Sequence, residues 1–292
     1  MKRWVALIAA LLLMTATAGC ARRTEQNIRF RAVTSFYPLY IMAINITDGV
    51  PGVQVDNMTG QQTGCLHDYQ LQSKDMREIE QANAFIINGA GMEGFMDKVT
   101  SKMPSLRIID TSSGVNLLRD ETGTANPHTW VSISNYIVQV ENIEKGLSAA
   151  DPPDAAAFRK NAQAYIARLS ALRDKMHEEL DGIQRRDIIT FHEAFPYFAK
   201  EFGLNIAAVV NREPDSQPSA RELAQTIRLI RSSGVRAVFA EPQYPQSAAN
   251  IVAKESGVSV YSLDPGVTGS NDRGAYLNAM EQNLTVLKRA LS

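Results

Sequence analysis

Asp151-Pro152-Pro153-Asp154-Ala155-Ala156-Ala157-Phe158 opens a long helical pattern that runs to about residue 180. Phe158, Ala162, Tyr165, Ile166, Leu169, Leu172 and Met176 recur in it at spacings of three and four, the period of one apolar helix face. No glycine or proline interrupts the run. At 1.5 Å per residue, an unbroken helix of about 28 residues is about 40 Å long. That is the width of a domain, so the segment reads as a bridge between two lobes.

Outward from this helix, apolar β-rich runs alternate with helical patterns on both sides. Before it, strands are predicted at 28–33, 53–58, 84–87 and 106–109, with helices near 38–46, 73–82, 92–102 and 133–147. After it, strands are predicted at 188–190, 206–210, 237–240 and 258–263, and Ser219-Ala220-Arg221-Glu222 has the Ser-x-x-Glu form of a capping box. Strands that alternate with helices imply βα units and mostly parallel sheets. The expected class is therefore α/β, with two lobes, each a mostly parallel sheet flanked by helices, joined by one long bridging helix. The expected division is an amino-terminal lobe at 28–147, the bridge at 148–184 and a carboxyl-terminal lobe at 185–292.

The amino terminus indicates where the chain works. Lys2 and Arg3 precede an apolar stretch over 4–14, and the small residues Thr15-Ala16-Thr17-Ala18-Gly19 lead to Cys20. This fits a secretory signal peptide over 1–20. The apolar run is shorter than the roughly 20 residues a membrane-spanning helix needs. Thr17-Ala18-Gly19-Cys20 resembles a bacterial lipobox, with Thr17 where leucine is usual, and implies that Cys20 is lipidated and tethers the protein through 21–27. Removing 1–20 leaves 28 basic against 31 acidic side chains, a net charge of −3, which is no nucleic-acid footprint. Cys65 is then the one cysteine of the folded part, so no intramolecular disulfide forms. About 270 residues remain, enough for stability to rest on core burial, and beyond the size at which one core usually splits in two.

Three of the four histidines sit where a strand-like run gives way to a turn or helix: Leu66-His67-Asp68-Tyr69, Asn126-Pro127-His128-Thr129-Trp130 and Phe191-His192-Glu193-Ala194-Phe195. Imidazole is the commonest protein ligand for borderline divalent metals, and the carboxyl edges of sheets are where such residues converge. Asp264 ends another short β-branched run, Val258-Ser259-Val260-Tyr261-Ser262-Leu263-Asp264, and is the candidate carboxylate. His177 lies among Arg173, Asp174, Lys175, Glu178 and Glu179 and reads as part of a solvated helix face. Cys65, two residues from His67, reads as a small buried apolar residue rather than a ligand.

Several segments, in order, resemble one family. They are Thr34-Ser35-Phe36-Tyr37-Pro38-Leu39, His67-Asp68-Tyr69, Asn88-Gly89-Ala90-Gly91-Met92-Glu93, Asn126-Pro127-His128-Thr129-Trp130, Phe191-His192-Glu193-Ala194-Phe195-Pro196-Tyr197-Phe198, Pro218-Ser219, and Phe239-Ala240-Glu241-Pro242-Gln243 with Leu263-Asp264-Pro265. The chain is similar over nearly its whole mature length to the zinc and manganese solute-binding lipoproteins of bacterial ABC importers, the ZnuA/TroA-like family. The resemblance implies a metal held between two lobes, with His67 and His128 from the first and His192 and Asp264 from the second. It also implies an extracytoplasmic, lipid-anchored monomer that delivers metal to an ABC-transporter permease.

In relatives that favour manganese, the position of His192 tends to be glutamate. Three imidazoles and one carboxylate suit four-coordinate Zn²⁺, whereas Mn²⁺ prefers more oxygen and higher coordination. Zinc is the expected cargo and manganese the alternative. The chain departs from the pattern in having no histidine from Asp68 to Pro127, where many zinc members carry a His-rich loop, and in Ser73-Lys74-Asp75 and Gln217. A zinc hydrolase of the His-Glu-x-x-His type is disfavoured because the residue four after His192 is Pro196, so no enzyme is expected. A surface adhesin shares this architecture, but no segment encodes a partner surface.

Overall fold

A computed structural model describes residues 28–66, 69–210 and 218–292. The signal segment, the tether with Cys20, and His67 lie outside the described residues. Two four-stranded sheets, each wholly parallel, carry the architecture. The first comprises β1 (Phe30–Thr34), β2 (Val53–Asn57), β3 (Ala84–Ile87) and β4 (Ile108–Asp110) in the order β2-β1-β3-β4. The second comprises β5 (Asp187–Thr190), β6 (Asn205–Val209), β7 (Ala237–Ala240) and β8 (Ser259–Ser262) in the order β6-β5-β7-β8. Each sheet thus reverses its winding between its first and third strands, and such a switch point opens a crevice beyond the carboxyl ends.

The helices are α1 (Tyr37–Ile46), α2 (Ser73–Glu80), α3 (Met96–Lys102), α4 (Ile133–Ala150), α5 (Ala155–Leu180), α6 (Pro196–Glu201), α7 (Ala220–Ser233), α8 (Ser247–Ser256) and α9 (Ala275–Leu291). The long pattern at the centre of the sequence is α5, 26 residues and therefore about 39 Å. It is separated from α4 by a short 3-10 turn at Pro152–Asp154. The helix expected near 92–102 starts only at Met96, and the segment before it carries Gly89, Ala90 and Gly91 at positive φ. A side chain on Gly89 would sit 2.1 Å from the Asp110 carboxylate, so that position admits no Cβ. The capping box is formed: Ser219 Oγ accepts from the Glu222 amide at 3.3 Å, and the Ser219 amide donates to Glu222 Oε2 at 2.7 Å.

Side chains alternate across each strand, and the two faces bury differently. Ala32, Ala84 and Ile86 of the first sheet and Ile188, Ala237 and Phe239 of the second face one continuous central core. Their neighbours Val33, Phe85 and Ile87 pack outward with Ile79 and Val99, while Ile189 and Val238 pack outward with Ile230 and Val252. The central core is completed by Phe158, Ala162, Tyr165, Leu169, Leu172, Met176 and Leu180 of α5. One helix face thereby serves both sheets, which is why its apolar period persists over its whole length. α9 supplies Tyr276, Leu277, Met280, Leu284 and Leu287 to the same core at the same spacing. No helix among the described residues is long and apolar enough to cross a membrane.

Candidate metal centre

His192 lies two residues beyond β5 and Glu241 one residue beyond β7, the two strands that flank the switch point of the second sheet. Both side chains are almost wholly buried. His192 Nδ1 is 2.5 Å from Glu241 Oε1, and Gln243 Nε2 donates to Glu241 Oε2 at 2.6 Å. A carboxylate oxygen only accepts, so Nδ1 carries the proton and Nε2 holds the lone pair.

His128 is positioned differently from the sequence expectation. No strand runs into it. It precedes a 3-10 turn at Thr129–Val131 that leads into α4. Its backbone amide donates to Asn126 Oδ1 at 2.9 Å, and its Nδ1 lies 3.0 Å from the same oxygen. A backbone N–H can only donate, so the Asn126 atom facing it is the amide oxygen. That oxygen in turn requires the proton on Nδ1 and leaves the lone pair on Nε2. Asn126 Nδ2 donates to the Glu193 carbonyl at 2.9 Å, tying this turn to the residue after His192. Asn88, just beyond β3, donates through Nδ2 to the Pro127 carbonyl at 2.8 Å.

The two imidazoles meet edge to face, with ring centroids 4.8 Å apart at 85°. The third donor in the cluster is Cys65. Ligand atoms of Cys65, His128 and His192 all lie within 4.8 Å of one another, the one such group of three or more metal-ligating side chains among the described residues. Cys65, read from sequence as a small buried apolar residue, is half-buried, and its ligand atom is one of the three in this group.

Asp264 follows β8 and is held by α9, where Asn283 Oδ1 accepts from its amide at 2.8 Å and Asn283 Nδ2 donates to its carbonyl at 2.7 Å. Its Oδ1 accepts from the Gly266 amide at 2.8 Å, and it is not a member of the 4.8 Å group. Burial raises the Asp264 pKa above the usual carboxylate value, the Gly266 hydrogen bond opposes this, and the negative Glu241 adds to it. Two acids thus share this corner of the second lobe, and a cation beside them lowers the cost of both charges. His177 lies on the far part of α5, half-exposed, 3.9 Å from Asp181 and stacked near Phe202, as a solvated helix face requires.

A cavity of about 580 Å³, lined by Ala90, Gly91, Arg119, Asp120, His128 and Glu193 among others, touches the cluster at His128. A larger hollow of about 840 Å³ lies by the start of β2, around Asp48, Pro51 and Arg273, and contains none of the clustered donors. Glu241, Asn126 and Cys65 were not singled out as parts of the centre from sequence. The first two do stand inside recognised motifs.

The chain is 28% identical over 305 residues to a zinc-binding lipoprotein, AdcA, of Streptococcus pneumoniae, covering 98% of this chain and 60% of that protein. It is 29% identical to the iron-binding protein YfeA of Yersinia pestis, covering 86% and 82% of the two chains. It therefore spans about 60% of the length of the streptococcal relatives it matches. Among solved structures, the solute-binding protein FpvC of Pseudomonas aeruginosa in complex with Mn²⁺ superposes with a TM-score of 0.81 at 30% identity, covering 90% of this chain and 98% of that one. Zn(II)-bound AdcA of S. pneumoniae gives 0.79 at 29% identity, covering 90% and 57%. The family model extends from residue 32 to residue 290, through both sheets and the helix between them, and the chain belongs to the ZnuA family, described as zinc-uptake complex component A, periplasmic.

Proposed function

We propose that this protein captures Zn²⁺ outside the cytoplasm and delivers it to the membrane permease of an ABC importer, with His67, His128, His192 and Asp264 as the donor set and Cys20 as a lipid anchor. The family is one of metal-binding transport proteins. One observation carries the reading for this chain. Two buried histidines from different lobes meet edge to face, each with Nδ1 engaged by an acceptor oxygen, which places the lone pair on Nε2. Fixing the tautomer beforehand removes an ordering cost from capture and raises ligand basicity. Neutral imidazoles are required, so protons compete with the metal and acid weakens capture.

The metal leaves the protein chemically unchanged, and no catalytic step is assigned. Pro196 opens α6 four residues after His192, so that helix offers no second histidine to build a hydrolase site. Manganese is the second reading, favoured by the likeness to the Mn²⁺ complex of FpvC. Purified protein, stripped of metal and titrated in competition with a chromophoric chelator, is expected to bind one Zn²⁺ per chain far more tightly than Mn²⁺. Tighter binding of Mn²⁺ would transfer the assignment to manganese, and binding of neither would end it.

A further inference from the structure

We infer that Cys65 is itself a ligand, so that the capture site is a Cys-His-His centre selective for zinc over manganese; this rests on the capture function proposed above. Three side chains distant in sequence bring ligand atoms within 4.8 Å of one another. Tetrahedral zinc with Zn–N of about 2.05 Å and Zn–S of about 2.3 Å separates its donors by about 3.3 Å for N···N and about 3.6 Å for N···S. The observed separations, all within 4.8 Å, need to close by at most about 1.5 Å to reach that geometry, and the Nδ1 contacts of His128 and His192 place their lone pairs on Nε2.

The backbone before Cys65 is built for this position. Gly64 has φ +81°, and a Cβ there would lie 2.8 Å from the Tyr244 hydroxyl. Tyr244 belongs to the loop after β7 and stands edge-on to His192, with ring centroids 6.3 Å apart. A tyrosine of the second lobe therefore stands against the Gly64 backbone of the first, next to the cysteine, at a positive φ that favours glycine.

On binding, the Cys65 thiol releases its proton to solvent and the sulfur donates a lone pair to the metal. Asp264 stands outside the three-donor group, so the fourth position of a four-coordinate site falls to either His67 or Asp264, and the thiolate replaces the other in the donor set proposed above. Thiolate donors favour Zn²⁺ and are poor ligands for Mn²⁺. A cysteine here thereby biases the site against manganese in a family whose relatives include a Mn²⁺-bound protein.

The test uses the full chain carrying Cys20→Ser, which leaves Cys65 as the sole thiol. Loaded with Co²⁺, it should show a thiolate-to-cobalt charge-transfer band in the near ultraviolet, and the band should vanish in the further variant Cys65→Ser. Zn²⁺ affinity should fall in that variant by at least about 100-fold, the upper end of what losing even an outer partner of a ligand costs, while Mn²⁺ affinity changes little. Absence of the band in the Co²⁺-loaded protein overturns the inference whatever the variant does, and so does an equal loss of Zn²⁺ and Mn²⁺ affinity. Tight Zn²⁺ binding without the band leaves the capture function standing and removes only Cys65. Failure to bind Zn²⁺ at all removes both.

Discussion

Replacing Glu241 by glutamine changes one atom at the back of the metal centre and separates orientation of a ligand from stability of the fold. In the native protein Glu241 Oε1 accepts from His192 Nδ1 at 2.5 Å and Oε2 accepts from Gln243 at 2.6 Å, with all of this nearly excluded from water. A glutamine at 241 has one acceptor where two are needed. If its oxygen faces His192, its amino group confronts the Gln243 donor. If it turns round, two N–H groups face each other at His192, and the ring escapes by moving its proton to Nε2, the nitrogen that should bind metal. A buried donor left unsatisfied costs about 1–3 kcal/mol, or about 10- to 100-fold in affinity. Loss of a negative charge beside the cation acts in the same direction.

Metal-free stability should respond oppositely. Asp264 is held above the usual carboxylate range partly by the Glu241 charge, so neutralising residue 241 relieves that repulsion. Glu241→Gln is therefore expected to lower Zn²⁺ affinity about 10- to 100-fold in a chelator competition while the metal-free melting temperature stays level or rises slightly. An unchanged affinity refutes the positioning role. A lost affinity matched by an equal loss of metal-free stability refutes it too, since Glu241 would then serve folding alone.

Glu93 gives a pH signature. It is buried beneath the turn after β3, accepting from Ser35 Oγ and the Asn88 amide at 2.7 Å each and the Gly89 amide at 3.0 Å, yet burial pushes its pKa up to about 7. For an acid raised from about 4.5, the folded chain holds a proton the unfolded chain has released, so this stability is full below pH 4.5 and lost as pH rises through 7, by about 3 kcal/mol. Denaturant melts of metal-free protein at pH 5 and pH 8 should show that slope, and Glu93→Gln should remove it; identical slopes would refute the account. Phe158→Ala, in the middle of the shared core, should cost about 3–5 kcal/mol by the same melts, and under 1 kcal/mol would contradict a continuous core. Zn²⁺ at 100 times its Kd should stabilise the native chain by about 2.7 kcal/mol, readable as a rise in melting temperature. His177→Ala should leave that rise intact.

Much of the fold was legible because its signals are local and repeated. The apolar face of α5, the βα alternation and the Ser219 capping box each depend on residues a few positions apart, and each appeared within a few residues of the expected place. The helix expected near 92–102 begins four residues later, at Met96, after a turn in which Ala90 takes a φ of 53°, and a non-glycine residue with positive φ leaves no mark in composition. In the site, His192 announced itself at a strand end, but His128 did not obey that rule and was found through its motif. The place of Cys65 beside His128 and His192 depends on residues 63 and 127 positions later in the chain, and no local pattern carries that distance.

How the lobes can move follows from what joins them. Rigid-body opening needs an interface with few crossing contacts. Here Trp130 Nε1 donates to the Pro265 carbonyl at 2.9 Å, Tyr276 Oη donates to the Trp130 carbonyl at 2.9 Å, and Tyr37 Oη donates to the Ser270 carbonyl at 2.7 Å. Tyr136 and Tyr276 stack at 3.6 Å, and the core behind them is one cluster from Phe30 to Leu291. Separating the lobes would expose that cluster and break the buried bonds together, against a total stability of about 5–15 kcal/mol for an ordinary domain. On the capture function proposed above, metal exchange by wide hinge opening would be too costly on this frame. The cheaper route would run through the loops at the carboxyl edges of the sheets, where the Gly64-Cys65 segment and the Tyr244 loop stand near His192. Entry and release would then depend on local movement of these loops, with α5 as a fixed spine rather than a hinge.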